Sequence, residues 1–281
     1  MAAAMTGTRF TALVITSGGN DVGVVPWLAR RRGPLTTVNA VPFPYAGPLV
    51  PAELLEDTLA VLRRRARGRG VVRQQFGLAP HSEPAAPVAV RGFDALPAET
   101  YLLDLSVGAD ALWNGLTSEA RRSLRKAERD GIRIVEASPG SRTLERAVRS
   151  AYMGRGTTDG YHFDTLTAPD QLESTGLAAR WTVALSDGTE IGSSLSVAND
   201  DIAHGWLGAL LPEHRKSRAN VALYWDAICW AQQRGVRTLD MIGIPDAGIR
   251  RFKSQFGGTV HTYTRLQRTT PLGRAIGRVV R

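Results

Sequence analysis

Residues 214–258 read HRKSRANVALYWDAICWAQQRGVRTLDMIGIPDAGIRRFKSQFGG, and this stretch decides the fold. A long helix is expected from about Ser217 to Arg234, with Gly235 in the C′ position where a left-handed residue ends a helix. Thr238–Ile242 then reads as a short strand. Asp246 can cap a second helix through its carboxylate, with Ile249, Phe252 and Phe256 as the core face. Thr259–Gln267 alternates as a last strand, and a basic tail follows.

Upstream lies the clearest β pattern. Arg180–Leu185 is one strand, and Asp187-Gly188 suits a two-residue hairpin turn. Ile191, Ser193, Leu195 and Val197 alternate with small residues in a second strand. Ile202–Leu211 is a third, with His204 and Trp206 on one face. A three-strand meander feeding a long helix, then strand, helix and strand, defines a mixed α+β unit. Asp110–Asp130 is expected to be helical with a break near Gly115, Ile132–Glu136 a strand, and Arg142–Tyr152 a helix. Residues 154–168 read as a long loop, and Pro169–Leu177 as a short helix.

The N-terminal part repeats this order more loosely. Arg9–Thr16, Val24–Arg32, Leu35–Val41, Val71–Phe76 and Thr100–Leu105 read as strands, with Ser17–Gly23 a glycine-rich loop and Gly33-Pro34 a turn. Leu54, Leu55, Thr58, Leu59 and Leu62 form a helical stripe after Pro51. The expected organisation is two domains, 1–108 and 109–268, followed by a basic tail at 269–281.

The chain has 281 residues, with 35 Lys plus Arg against 26 Asp plus Glu, a net charge of +9. Only Lys126, Lys216 and Lys253 are lysines. Each of the segments 1–108, 109–150 and 151–281 nets +3, so the excess is local. It gathers in Arg63–Arg73, in Arg121–Arg133, and in the 35 residues after Asp246, which hold eight basic groups and no acid. Such clusters read as a polyanion footprint or as the arginine bias of a GC-rich genome.

Cys229 is the only cysteine, which excludes an internal disulfide and a cysteine-rich metal site. No apolar run approaches the ~20 residues of a membrane span, and the N-terminus lacks a signal-peptide pattern. A cytoplasmic protein is the expectation. There is no Walker loop, HExxH or dinucleotide glycine motif, and no metal or bound cofactor is expected.

Several blocks together resemble a known family. Leu223-Tyr224-Trp225-Asp226-Ala227-Ile228, Asp240, and Gly248-Ile249 with Phe252-Lys253 and Phe256-Gly257 are similar to the Fem peptidyltransferases (FemA, FemB, FemX) and their GNAT-like acyltransferase relatives. So are the loop Val41–Leu49, with its Tyr45-Ala46-Gly47-Pro48, and the helix Arg121–Gly131. The resemblance implies two tandem GNAT-like domains, mixed sheets flanked by helices. It also implies transfer of an amino acid from aminoacyl-tRNA to the amine of a peptide or cell-wall-precursor acceptor.

By that resemblance Lys253 is the catalytic candidate, its ammonium holding a phosphate or stabilising charge on the carbonyl oxygen. Arg155, Tyr161, His204, Trp206 and Phe252 are the substrate-binding candidates. Arg63, Arg64, Arg67, Arg250, Arg251, Arg265 and Arg268 are the candidates for contacting tRNA. One departure concerns the donor. GNAT enzymes hold the CoA pyrophosphate on an R/Q-x-x-G-x-G/A turn, whereas here the turn reads Arg215-Lys216-Ser217-Arg218-Ala219-Asn220. Side chains at 218 and 220 crowd a close backbone cradle, which argues against ordinary CoA binding. Acyl-CoA-dependent N-acylation and a non-catalytic RNA- or anion-binding module remain the alternatives. Asn220 reads as a helix cap, and Tyr45 and Trp113 as packing residues.

Overall fold

Gly18 and Gly19 both have positive φ (58° and 84°) and join β1 (Arg9–Ser17) to β2 (Asn20–Arg32) in a two-residue hairpin. The expected glycine-rich loop over 17–23 is therefore mostly strand, because a primed turn matches the twist of long antiparallel strands. The computed structural model describes residues 9–39, 45–68, 70–80, 90–138, 140–153 and 177–279. These fall into two units, one of Glu99–His261 and one of Ala2–Ala98 with Thr262–Arg281.

In the N-terminal unit the strand order is β1, β2, β3 (Leu35–Val38), β4 (Val71–Gly77) and β11 (Thr259–Thr269). β3 and β4 are parallel, and the other neighbours are antiparallel. Helix α1 (Leu55–Ala66) is the crossover between β3 and β4, and buries Leu55, Leu59 and Leu62 against Val25, Trp27, Phe76 and Leu266.

The second unit has the order β5 (Asp94–Asp104), β10 (Thr238–Asp240), β9 (Ile202–Leu210), β8 (Thr189–Ala198), β7 (Ala178–Ser186) and β6 (Arg133–Glu136). Only β9 and β10 are parallel; the remaining pairs are antiparallel. The hairpin turn at Asp187-Gly188 has positive φ at both residues (49° and 76°), as its sequence requires. Helices α2 (Ala109–Gly115) and α3 (Ser118–Arg129) replace one interrupted helix. The Thr117 hydroxyl caps α3 by accepting from Ala120 N–H at 3.2 Å. Helix α4 (Thr143–Met153) packs on β8 and β9. Helix α5 (Ala219–Gln233) packs on the sheet through Val221, Ile228 and Ala231, against Leu103, Ala203 and Leu239. Helix α6 (Ala247–Lys253) starts at Asp246, whose carboxylate accepts from Ile249 N–H at 2.8 Å.

The structure moves the expected domain boundaries. The division lies at 98/99 instead of 108/109. Residues 262–281 leave the second unit, because β11 pairs antiparallel with β4 from Arg265↔Gly77 to Thr269↔Arg73. The expected basic tail is helix α7 (Pro271–Val279), with proline at its first position. The expected helix at Pro169–Leu177 falls outside the described residues except at its last position.

Candidate active site

β9 and β10 are parallel neighbours over three residues only, Thr238↔Ile202, Leu239↔Ala203 and Asp240↔His204. Past Asp240 the chain stays with β5, since Met241 N–H donates to Tyr101 O and Ile244 N–H to Glu99 O, both at 2.9 Å. β9 instead continues to Leu210 against β8. A wedge therefore opens between the two strands, and His204 and Asp240 are the last pair before it. A bulge at Trp206, between the Gly205↔Ser196 and Leu207↔Leu195 pairs, bends β9 at the same level.

Lys253 closes the far side of this wedge. It is 3% exposed, and its ammonium donates to the carbonyls of Met241 (2.5 Å), Ile242 and Gly243 (2.6 Å). An ammonium has three N–H donors, so all three have a carbonyl. The turn it grips includes Ile242 at φ 50°, a backbone conformation a β-branched residue rarely adopts. These bonds tie Lys253 to the 241–243 turn, and its expected role toward a phosphate or an oxyanion stays an expectation.

Asp240 is fully buried. Its Oδ1 accepts from Thr100 Oγ1 at 2.5 Å and from Ile242 N–H at 2.7 Å, and its Oδ2 stands 3.8 Å from His204 Nδ1. Ala203 and Leu239 face α5, so strand alternation puts His204 and Asp240 on the opposite sheet face.

Two expected substrate contacts are buried or partly buried. Trp206 is 6% exposed. Phe252 meets Tyr224 edge-on at 4.9 Å and Phe256 at 5.4 Å, in an aromatic cluster behind the wedge. Tyr45 packs edge-on against Tyr263, and Trp113 against Trp225, as expected of core aromatics. Arg155 and Tyr161 lie outside the described residues.

A groove of about 520 Å³ runs along α3 at the start of α5, lined by Glu119, Arg122, Ser123, Arg125, Lys126, Arg129 and Arg218. Arg218, not Asn220, occupies the N-cap of α5, and no side chain caps the helix. Asn220 Oδ1 is buried without a hydrogen-bond partner among the described residues. Lys126 pairs with Asp130 at 3.0 Å. Among the described residues, the side chains of Arg122, Arg125, Arg129 and Arg218 make no ion pair or hydrogen bond. Arg121 is different in kind, since its guanidinium donates to the carbonyls of Trp113, Asn114 and Leu116 at the end of α2.

The arginines expected to contact tRNA divide between the two units. Arg250 pairs with Glu99, and Arg251 is exposed beside it in the second unit. Arg63, Arg64, Arg67, Arg265 and Arg268 belong to the N-terminal unit. Arg63 donates to Arg91 O at 3.0 Å, and Arg268 to Gln74 Oε1 at 3.2 Å. Burial, together with the charges of Arg63 and Arg67, lowers the Arg268 pKa. Among the described residues no group of three or more His, Cys, Asp or Glu side chains is placed to hold a metal ion, and no helix is long and apolar enough to cross a membrane.

Residues 116–254 match the family model of the acetyltransferase (GNAT) domain. They include the wedge, Lys253 and the basic groove. The chain has a tandem GNAT fold. Among solved structures, FemX superposes with a TM-score of 0.66 at 12% identity, covering 97% of this chain and 90% of FemX. The C-terminal domain of a putative lysylphosphatidylglycerol synthetase from Agrobacterium fabrum gives 0.63 at 16%, covering 98% and 87%. A tandem GNAT protein from the clavulanic acid biosynthesis pathway gives 0.61 at 17%, covering 93% and 83%. No curated protein matches this chain by sequence.

In this GNAT domain the sequence reading missed two features. Asp240 was legible as one acid inside the apolar strand Thr238-Leu-Asp-Met-Ile242, where a buried carboxylate needs partners. The cations of α3 were visible as a cluster, but their meeting with Arg218 is a tertiary contact.

Proposed function

We propose that this GNAT acyltransferase is an aminoacyltransferase: it moves an amino acid from aminoacyl-tRNA to the amine of a peptide or cell-wall-precursor acceptor. The donor ester is already activated, so the protein's work is positioning the amine and carbonyl and stabilising charge. The supporting observation is the groove at the start of α5. In that place the glycines of a CoA turn are replaced by Arg218 and Asn220, and unpartnered guanidinia line the wall.

The dimensions favour a polynucleotide. Arg122 to Arg129 spans seven residues, about 10 Å of helix at ~1.5 Å per residue. One strand of a duplex places a phosphate every ~3.4 Å along its axis, so this length covers about three phosphates. A pyrophosphate is far shorter. Arginine's planar fork also suits phosphate oxygens better than an ammonium does. Acyl-CoA remains the second reading, favoured by the acetyltransferase family match.

Binding of an uncharged RNA acceptor-stem minihelix, followed by fluorescence anisotropy across a salt series, tests the donor side. In the Arg122→Gln/Arg125→Gln/Arg129→Gln variant, affinity should fall and the slope of log K against log salt should flatten by about 2–3, since each lost duplex phosphate contact removes ~0.9. Unchanged affinity and slope would take RNA out of this groove.

A further inference from the structure

β1 is the outermost strand of its sheet, and among the described residues it pairs with β2 alone. The direction of its backbone groups follows from β2. Val24 N–H donates to Leu49 O at 3.0 Å, and Val24 O accepts from Leu49 N–H at 2.8 Å. Pro26 O accepts from Asn39 Nδ2 at 2.8 Å. Leu28 N–H donates to Asn39 Oδ1 at 2.7 Å, and Leu28 O accepts from Asn39 N–H at 2.8 Å. All of these groups point away from β1. In an antiparallel pair, residues directly opposite one another point their N–H and C=O groups either both inward or both outward. The residues opposite Val24, Pro26 and Leu28 are Val14, Ala12 and Phe10. The N–H and C=O groups of Phe10, Ala12 and Val14 therefore point outward from the sheet edge, and they hydrogen-bond to none of the described residues.

Natural sheets guard such an edge with charge, proline or bulges. Phe10–Ser17 holds no charged residue and no proline, and the bulge in β1 comes only after Ile15. Leu13 and Ile15 face the core beside α1, so strand alternation puts Phe10, Ala12 and Val14 on the other face. There Phe10 is 54% exposed and Val14 57%. Val14 is opposite Val24 and Val24 opposite Leu49, itself an exposed side chain, so the apolar strip continues across the sheet.

We propose that this edge is covered by β1 of a second copy of the chain, running antiparallel with its two-fold axis at Ala12. The strand is complementary to itself in that register. Ala12 meets Ala12, and Phe10 meets Val14 on either side, an aromatic to β-branched pair of the kind that stabilises antiparallel sheets. All three outward N–H and C=O groups of each copy find partners, and any other register leaves some of them unanswered. The paired stretch runs from Arg9 to Ile15 and stops at the bulge. Its one charge is no obstacle: the two Arg9 residues lie six positions apart along the strands, about 20 Å at ~3.4 Å per residue, beyond the ~8 Å over which exposed charges act at physiological salt. A ladder of this length is small beside the ~800 Å² per partner of a standard interface, so the dimer should dissociate on dilution. The proposal is independent of the transfer reaction.

Sedimentation across a concentration series of the full chain reads the assembly. The parent mass should rise from 30.4 kDa toward twice that value. Ala12→Pro removes an N–H that points away from β2, so it costs no bond within the chain. It should leave the far-UV CD and the melting temperature nearly unchanged and hold the protein at the monomer mass. Val14→Lys, at an exposed position, should do the same by placing a charge on the edge. A parent that stays monomeric at every concentration would overturn the proposal, as would a dimer that ignores both substitutions.

Disulfide trapping in a Cys229→Ala background tests the register. Opposed Cα atoms in a hydrogen-bonded antiparallel pair are ~5.5 Å apart, within the ~4.4–6.8 Å that a disulfide spans. Ala12→Cys should therefore cross-link to itself under mild oxidation. Phe10→Cys should not, since its copies lie about 14 Å apart at ~3.4 Å per residue, but a mixture of Phe10→Cys and Val14→Cys chains should form the mixed dimer. Equal cross-linking of Phe10→Cys and Ala12→Cys would mark random collision and overturn the pairing.

Discussion

Lys253 has three N–H donors on three carbonyls, and its side chain is buried. Replacing it by methionine removes the charge and takes the donor from all three carbonyls. The Ile242 turn, at positive φ, loses its clamp as well. Lys253→Met should therefore lower unfolding free energy by about 2–4 kcal/mol, measured from denaturant midpoints. An unchanged midpoint with lost turnover would return Lys253 to the reacting atoms. The Phe252-Lys253 motif was legible in the sequence, and so was its importance. The direction of the ammonium was not, because it depends on three backbone oxygens about ten residues earlier, in a turn whose shape only the folded sheet defines. For the same reason Asp240 gave only a faint signal: its partners Thr100 and His204 come from two other strands.

At the scale of elements, α5 carries the clearest agreement between pattern and structure. Its apolar face, its Gly235 terminus at φ 76° and the strand after it all follow from local rules. Its own chemistry is muted. Burial, aided by Asp226, pushes the Cys229 thiol up to about 11. The thiolate is the reactive form, so at pH 8 native Cys229 should alkylate about 100-fold more slowly than in the unfolded chain, where the reference value is 9.0. Equal rates in mass-spectrometric labelling would show an exposed, ionised thiol. Asp226 is itself held by a two-point bond from Arg180, at 3.0 and 3.1 Å, which ties α5 to β7 and raises the Arg180 pKa. The β9 bulge, by contrast, could not be read. Periodicity put His204 and Trp206 together, and an extra residue in the strand separates a partly exposed imidazole from a buried indole.

For the whole molecule, the sequence indicated two α+β units of similar order but not their borders. A reading along the chain assumes that units are contiguous, and β11 breaks this by pairing with β4. The same return splits the acid-free C-terminal region between the units: Arg250 and Arg251 fall in one, Arg265 and Arg268 in the other. The net charge of +9 is thus shared between the two units. Within the GNAT domain it resolves into a groove of unpartnered arginines near the start of α5, and a site of one imidazole and one carboxylate where two parallel strands separate. The most direct measurement incubates the protein with a charged-tRNA pool and a panel of small peptides and amines, with and without RNase, alongside acetyl-CoA, and follows amide products by mass spectrometry. An aminoacyl amide that disappears with RNase is the predicted result. A product that survives RNase and requires acetyl-CoA would contradict it.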